Sequence, residues 1–175
     1  GGITISGGEI LAQPEFTRAV LRNCRAECMH TAIETSFFAP WETIKSILPY
    51  VNLAFVDMKF FSNDLHKQYT GVDNELIKQN LLATNELEDK FQLVIRTPII
   101  PGLNDSEEEL CKIGEFCTKL KKLSYVQLLP YHKLGTATYE KLGRTYALPD
   151  IKSPTPDQMA GYVKIIERYV ENVIF

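Results

Sequence analysis

Short apolar runs that alternate with amphipathic stretches leave this chain few possible folds. The runs are Ile3–Ser6, His30–Thr35, Leu53–Lys59, Phe91–Arg96 and Tyr125–Leu129. Leu53-Ala54-Phe55-Val56 and Leu93-Val94-Ile95 are continuous rather than alternating, the pattern of strands buried on both faces of a parallel sheet covered by helices. The intervening stretches read as helices. Pro14–Glu27 carries Phe16, Val20 and Cys24 at helical spacing, and Pro40–Leu48 has proline near its first turn. Leu65–Leu87 is broken at Thr70-Gly71 and restarts with Asp73 or Asn74 as cap. Pro98–Asn104 reads as a loop. Ser106-Glu107-Glu108-Glu109 reads as a capping box ahead of the stripe Leu110, Ile113, Phe116, Cys117 and Leu120. Thr155-Pro156-Asp157-Gln158 caps a last helix bearing Met159, Val163, Ile166 and Val170, and Val173–Phe175 can add a short strand. Repeated strand–helix units with right-handed crossovers give a doubly wound sheet or a barrel, so residues 1–175 read as one α/β domain.

Composition narrows the functional classes. Of 175 residues, 45% are hydrophobic and 23% charged, an ordinary globular balance that excludes intrinsic disorder. A net charge of −3 with no lysine or arginine run argues against nucleic acid as a partner. No apolar stretch approaches the roughly 18 residues of a membrane span, and no signal peptide is present, so a cytoplasmic protein with reduced thiols is expected. Cys24 and Cys28 share a helix and lack a third cysteine nearby, and Cys117 lies on a helix stripe; buried, packed thiols are expected.

The informative residues follow the strands. The first runs into Ser6-Gly7-Gly8-Glu9, the second into Glu34-Thr35-Ser36, the third into Asp57-Met58-Lys59, the fourth into Arg96-Thr97 and the fifth into Pro130-Tyr131-His132. In a parallel barrel these ends share one rim, where sites are built. A glycine pair bares main-chain atoms to a ligand or simply makes a tight turn. Glu9 can accept from a ligand ammonium or complement a helix N-terminus. Asp57 and Lys59 can form an ion pair, Arg96 can bridge Glu34 and Asp57, and His132 alone would be structural; their convergence is what points to a site.

At this level of detail the chain resembles a known family. Gly1-Gly2-Ile3-Thr4-Ile5-Ser6-Gly7-Gly8-Glu9 is similar to a segment of radical S-adenosylmethionine enzymes, and more narrowly of the activating enzymes of glycyl radical enzymes. The likeness continues through His30–Ser36, Val56–Lys59, His66–Val72, Ile95–Gly102, Asn104–Glu107, Leu128–Gly135 and Tyr139–Gly143. It implies the partial (β/α)6 barrel of that superfamily, with about five strand–helix units in this chain, and S-adenosylmethionine as cofactor. The cofactor-binding positions would be Ser6, Gly7, Gly8, Glu9, Glu34, Asp57, Lys59 and His132. Glu34, Thr35 and Asp57 would surround a monovalent cation, and Arg96 would face the partner's loop. The implied partners are a glycyl radical enzyme, with pyruvate formate-lyase the expected one, and an electron donor for a [4Fe–4S] cluster. The implied chemistry is hydrogen abstraction from a glycine by a 5′-deoxyadenosyl radical.

The departures are specific. The family pattern D-T-[SN]-G-[FY] reads here Glu34-Thr35-Ser36-Phe37-Phe38: glutamate adds a methylene, and Phe37 in place of glycine removes backbone freedom. The family's C-x3-C-x2-C motif lies upstream of the Ser6–Glu9 segment, and this chain starts at Gly1, inside a strand. The expectation is therefore a truncated barrel, an excerpt of a longer protein that lacks the cluster ligands and is inactive alone. Two other readings stay open: a Schiff-base lyase using Lys59, and a non-catalytic binding domain on a barrel fold.

Overall fold

The computed structural model describes residues 1–133, 141–143, 145, 148 and 150–175. Parts of two segments that carry the family likeness, 134–135 and 139–140, lie outside them. Six strands form one parallel sheet in strict chain order: β1 (Gly2–Ile5), β2 (His30–Thr35), β3 (Leu53–Asp57), β4 (Gln92–Ile99), β5 (Leu123–Pro130) and β6 (Val173–Ile174). Sequential parallel order with helical crossovers is the arrangement of a partial (β/α) barrel. The helices are α1 (Pro14–Ala26), α2 (Trp41–Ile47), α3 (Asn63–Thr70), α4 (Glu75–Ala83), α5 (Glu107–Cys117) and α6 (Pro156–Ile166).

Leu93, Val94 and Ile95 of β4 are all buried, as expected of a strand covered on both faces, but β3 is not covered so completely. β3 alternates: Ala54 and Val56 are buried under the helices, whereas Leu53, Phe55 and Asp57 are partly exposed on the other face. The register sets Phe55 beside Val94, and Asp57 beside Arg96, on that same face. The apolar inner residues line a trough, and the polar ones stand at its C-terminal rim. The core is the layer between sheet and helices, where Ile33, Ala54, Val56, Leu93, Ile95 and Val126 meet Leu21, Ile44, Leu81, Leu110, Ile113 and Ile166.

Local chemistry explains several boundaries. The stripe expected on α5 is buried throughout, from Leu110 to Leu120. On α1 it is not: Phe16 is 63% exposed, while Thr17 and Leu21 turn inward. The Thr17 hydroxyl donates to the Ile10 carbonyl at 2.9 Å and fixes that rotation. Cys28, expected to be packed, is exposed; it has φ 57° just beyond the C-terminal end of α1.

Pro98 lies within β4 rather than in a loop. The Met58 N–H donates to the Arg96 carbonyl on the β3 side. Two residues on, Pro98 faces the same side where β3 has already ended, so its missing N–H costs no ladder bond. Gly71, at φ 86°, ends α3, and its N–H donates to the Lys67 carbonyl. Asn74 precedes α4, but its side chain donates to the Phe60 and Phe61 carbonyls instead of capping. The box expected at α5 is half formed. Ser106 caps it, but the buried Glu109 carboxylate accepts from the Phe61 and Ser62 N–H groups at the start of α3. The box at α6, between Thr155 and Gln158, is complete.

Candidate functional site

The rim residues converge. Ser6, Gly7, Gly8, Glu9, Glu34, Thr35, Ser36, Asp57, Lys59 and Arg96 line one cleft with a volume of about 310 Å³. They come from the C-terminal ends of β1 to β4, where the strands deliver them because period-2 alternation turns Glu34, Asp57 and Arg96 to the open face.

Gly7 and Gly8 both have positive φ, 92° and 55°, and nothing lies within 4 Å of where a Cβ would stand on either. The requirement for glycine is thus conformational, most strictly at Gly7. No hydrogen bond engages the backbone of either residue among the described ones, and both are exposed where they line the cleft. Their main-chain groups are therefore served by water and open to a polar ligand.

Glu9 caps the short 3-10 turn Ile10–Ala12, the second of the roles its residue type allowed, and reaches β2 as well. Its Oε1 accepts from the Thr35 hydroxyl at 2.6 Å and the Leu11 N–H at 3.1 Å. Its Oε2 accepts from the Ser36 hydroxyl at 2.5 Å and the Ser36 N–H at 2.9 Å. Burial alone would raise this carboxyl, but the Ser36 and Thr35 hydroxyls and the two N–H groups outweigh it and hold it below the usual range. Glu9 therefore latches the glycine turn to the end of β2.

A second network crosses the cleft. Arg96 places Nη1 3.0 Å from Glu34 Oε1, and Nη2 3.1 Å from Asp57 Oδ1. It bridges the two carboxylates as the sequence allowed, with its guanidinium 5.3 Å from the Phe55 ring centre. The Ser6 hydroxyl donates to Glu34 Oε2 at 2.6 Å, and Lys59 Nζ sits 3.3 Å from Asp57 Oδ2. The Ser6 hydrogen bond first, and Arg96 with it, lowers the Glu34 carboxyl against a smaller opposing effect of burial. The added methylene of Glu34 lets one carboxylate reach both Ser6 and Arg96. Three carboxylates and two cations leave the cleft one negative charge in excess, which suits a ligand carrying positive charge.

The expected cation ligands are not gathered around one point. Glu34 and Asp57 share Arg96, and the Thr35 hydroxyl belongs to Glu9. His132 follows β5 on the same rim, exposed, and does not line this cleft. Among the described residues no group of three or more His, Cys, Asp or Glu could hold a metal ion, so these residues offer no cluster site from which a step can be derived. Among them, too, no helix is long and apolar enough to cross a membrane.

Sequence reasoning missed Ser36 and the contribution of His66. Beside the cleft and sharing Glu9, Ser36, Asp57 and Lys59 with it, a lobe of about 280 Å³ is lined further by Phe38, His66, Thr70, Val72 and Ile77. The available signal was the likeness of the His66–Val72 segment.

No family model matches the chain. It is 36% identical over 169 residues to an indoleacetate decarboxylase activating enzyme of Tractidigestivibacter scatoligenes, covering 97% of this chain and 53% of that protein. To an isethionate sulfite-lyase activating enzyme of Nitratidesulfovibrio vulgaris it is 42% identical over 151 residues, 86% of this chain and 48% of that protein. Among solved structures it superimposes on a domain of pyruvate-formate lyase-activating enzyme from Bacteroides vulgatus with a TM-score of 0.81 and 28% identity, over 100% of this chain and 99% of that one. The chain spans about half the length of the curated relatives it matches. Over that half, it is a homologue of the glycyl radical enzyme activating enzymes of the radical S-adenosylmethionine superfamily.

Proposed function

We propose that this chain is the cofactor-orienting barrel, a single truncated domain over residues 1–175, of a cytoplasmic activase that generates a glycyl radical on a partner enzyme. The observation that carries this reading is the convergence of the open Gly7-Gly8 backbone with Glu34, Asp57, Lys59 and Arg96 in one cleft. When bound, S-adenosylmethionine reduced through a [4Fe–4S] cluster supplies a 5′-deoxyadenosyl radical that takes hydrogen from a glycine α-carbon.

The residues here fit the orienting part of that chemistry. The bare amides and carbonyls of Gly7 and Gly8 would hold the amino-acid end of the cofactor, with Ser6 beside them. Glu9 fixes their geometry through Thr35 and Ser36. Lys59 would offer a donor to a carboxylate or ribose, and His132 a further contact from β5. Glu34 and Asp57 would face the sulfonium charge while Arg96 holds them apart. A monovalent cation on Glu34, Thr35 and Asp57 would have to displace Arg96, which otherwise stays toward the partner's loop. The cluster belongs to the longer protein in this reading, and the chain alone is inactive.

Isothermal titration of the chain with S-adenosylmethionine tests the reading directly. Saturable binding that is lost in Gly7→Val supports it, and no binding at millimolar cofactor overturns it. Reconstitution of the chain with iron and sulfide should give no stoichiometric cluster absorption. The partner proposed first is pyruvate formate-lyase, supported by the sequence likeness and by the Bacteroides domain. The curated relatives, however, carry the names of a decarboxylase and a sulfite-lyase. The full-length activase, reduced and mixed in turn with a lyase, a decarboxylase and a sulfite-lyase, should raise the glycyl radical paramagnetic signal in one of them.

A further inference from the structure

The lobe beside the cleft contains one uncommitted polar atom. His66, on α3, is 4% exposed, with Nδ1 2.7 Å from the Val72 carbonyl oxygen. A carbonyl only accepts, so Nδ1 carries the hydrogen, and in the neutral ring the lone pair belongs to Nε2. The Thr70 hydroxyl, 3.0 Å from Nδ1, also donates to the His66 and Val72 carbonyls, which closes that side of the ring. Nε2 has no hydrogen-bond partner among the described residues. Nε2 keeps access to solvent, so water serves it in the free chain; a side chain that displaces that water and brings no donor leaves the acceptor unpaired.

The surroundings define that donor's carrier. Phe38, Val72 and Ile77 make the wall apolar, and the Phe60 ring stands edge-on to His66, with centroids 6.5 Å apart. Phe38 and Val72 of the lobe's lining are left partly in solvent, at 39% and 37%. Apolar side chains exposed at such a lobe suit contact with a macromolecular segment. The lobe runs into the cleft through Asp57 and Lys59.

We propose that this lobe is a recognition pocket for one apolar side chain bearing a hydrogen-bond donor, a phenol or an indole, on the partner's segment, and that His66 Nε2 selects for the donor. The assignment rests on the activase reading for its partner but not for its chemistry. His66 is a specificity residue here; it takes no part in bond making.

The probes are 4-methylphenol and 4-methylanisole, which differ only in replacing the O–H with a methyl ether. Titrated into the 175-residue chain and followed by nuclear magnetic resonance, 4-methylphenol should bind about five-fold or more tightly than the ether. Its binding should shift the His66 Nε2 nitrogen resonance; the ether should not. His66→Asn keeps a donor for the Val72 carbonyl, and its shorter side chain withdraws the acceptor from the Nε2 position, so the discrimination should collapse towards unity. Equal affinity for the two probes, or discrimination unchanged in His66→Asn, overturns the proposal. So does competitive displacement of 4-methylphenol by S-adenosylmethionine, which would give the lobe to the nucleoside, or by rising protein concentration, which would give it to a second copy. If His66→Asn does not fold, the nitrogen shift in the unaltered chain decides alone. Discrimination without any cofactor binding would leave the pocket standing and remove the activase reading.

Discussion

Asn80, on α4, donates through Nδ2 to the carbonyl oxygens of Phe37 and Ala39, each at 2.9 Å, and so pins the loop after β2 from below. Phe37 needs that support: it has φ 57°, the left-handed region, yet its side chain is fully buried. The resembled family carries glycine at this position. Here the conformation is kept, at a strain of about 1–2 kcal/mol, and offset by burying an aromatic ring, worth about 3 kcal/mol. Phe37→Gly should therefore relieve the strain and still destabilise by about 1–3 kcal/mol net. Asn80→Ala should cost about 2 kcal/mol, because it strands the Ala39 carbonyl and leaves the Phe37 carbonyl only the Ala39 N–H. Urea unfolding measures both, and a Phe37→Gly chain more stable than the original would reverse this account.

The latch at Glu9 predicts a pH dependence. Its folded-state carboxyl lies below the ordinary 4.5, so its stabilisation is complete well above that value and is lost as pH falls through the lower folded value. Glu9→Gln should cost about 2 kcal/mol at pH 7 and progressively less below about pH 4.5. Thermal midpoints of the two chains, taken from pH 7 down to pH 3.5, should converge. Parallel curves would show that Glu9 is not held as a charged acceptor.

Arg96 separates two carboxylates that would otherwise repel across the cleft. Its side chain is 16% exposed, against 31% for Glu34 and 27% for Asp57, so solvent screens the pair only in part. Arg96→Met should destabilise by about 2 kcal/mol, roughly 4–8 °C in thermal midpoint, and weaken cofactor binding more than Lys59→Met does. Arg96→Lys should recover little, since one ammonium cannot bridge both acids with the same geometry. Full recovery by lysine would reduce the bridge to simple charge.

Thiol chemistry should follow burial. Cys117 is buried, and burial pushes its thiol up to about 12, whereas Cys28 is exposed. A thiol-reactive disulfide dye at pH 8 should label Cys28 first and Cys117 only on unfolding. Mass-mapped labelling of Cys117 in the native chain would contradict the packing of α5.

Strand positions and the clustering of Gly7, Gly8, Glu34, Asp57, Lys59 and Arg96 could be read from the sequence, because strand ends in a parallel sheet share a rim whatever the packing. Side-chain allegiance could not. Glu109 looked available as a cap, yet its carboxylate is engaged by groups far away in the chain; Glu9 caps the turn that follows it, but the sequence does not show that Thr35 and Ser36 also hold it. The same holds for Phe16 and Thr17, whose order of burial depends on one hydroxyl finding the Ile10 carbonyl. Apolar runs do not record how far each face is covered: Leu93-Val94-Ile95 is buried throughout, whereas Leu53 and Phe55 are partly exposed. Pro98 reads as a breaker in sequence, and only the early end of β3 makes it admissible within β4.

The carboxylate of Glu109 meets the Ser62 amide across 47 positions of sequence. The start of α3 is therefore left without those acceptors until β4 and α5 have docked. The Lys59–Ser62 turn thus depends for its anchoring on a part of the chain made later than itself. Local opening of α5 would loosen that turn without touching the glycine turn on β1, so hydrogen exchange should report the two sides of the cleft as separate cooperative units.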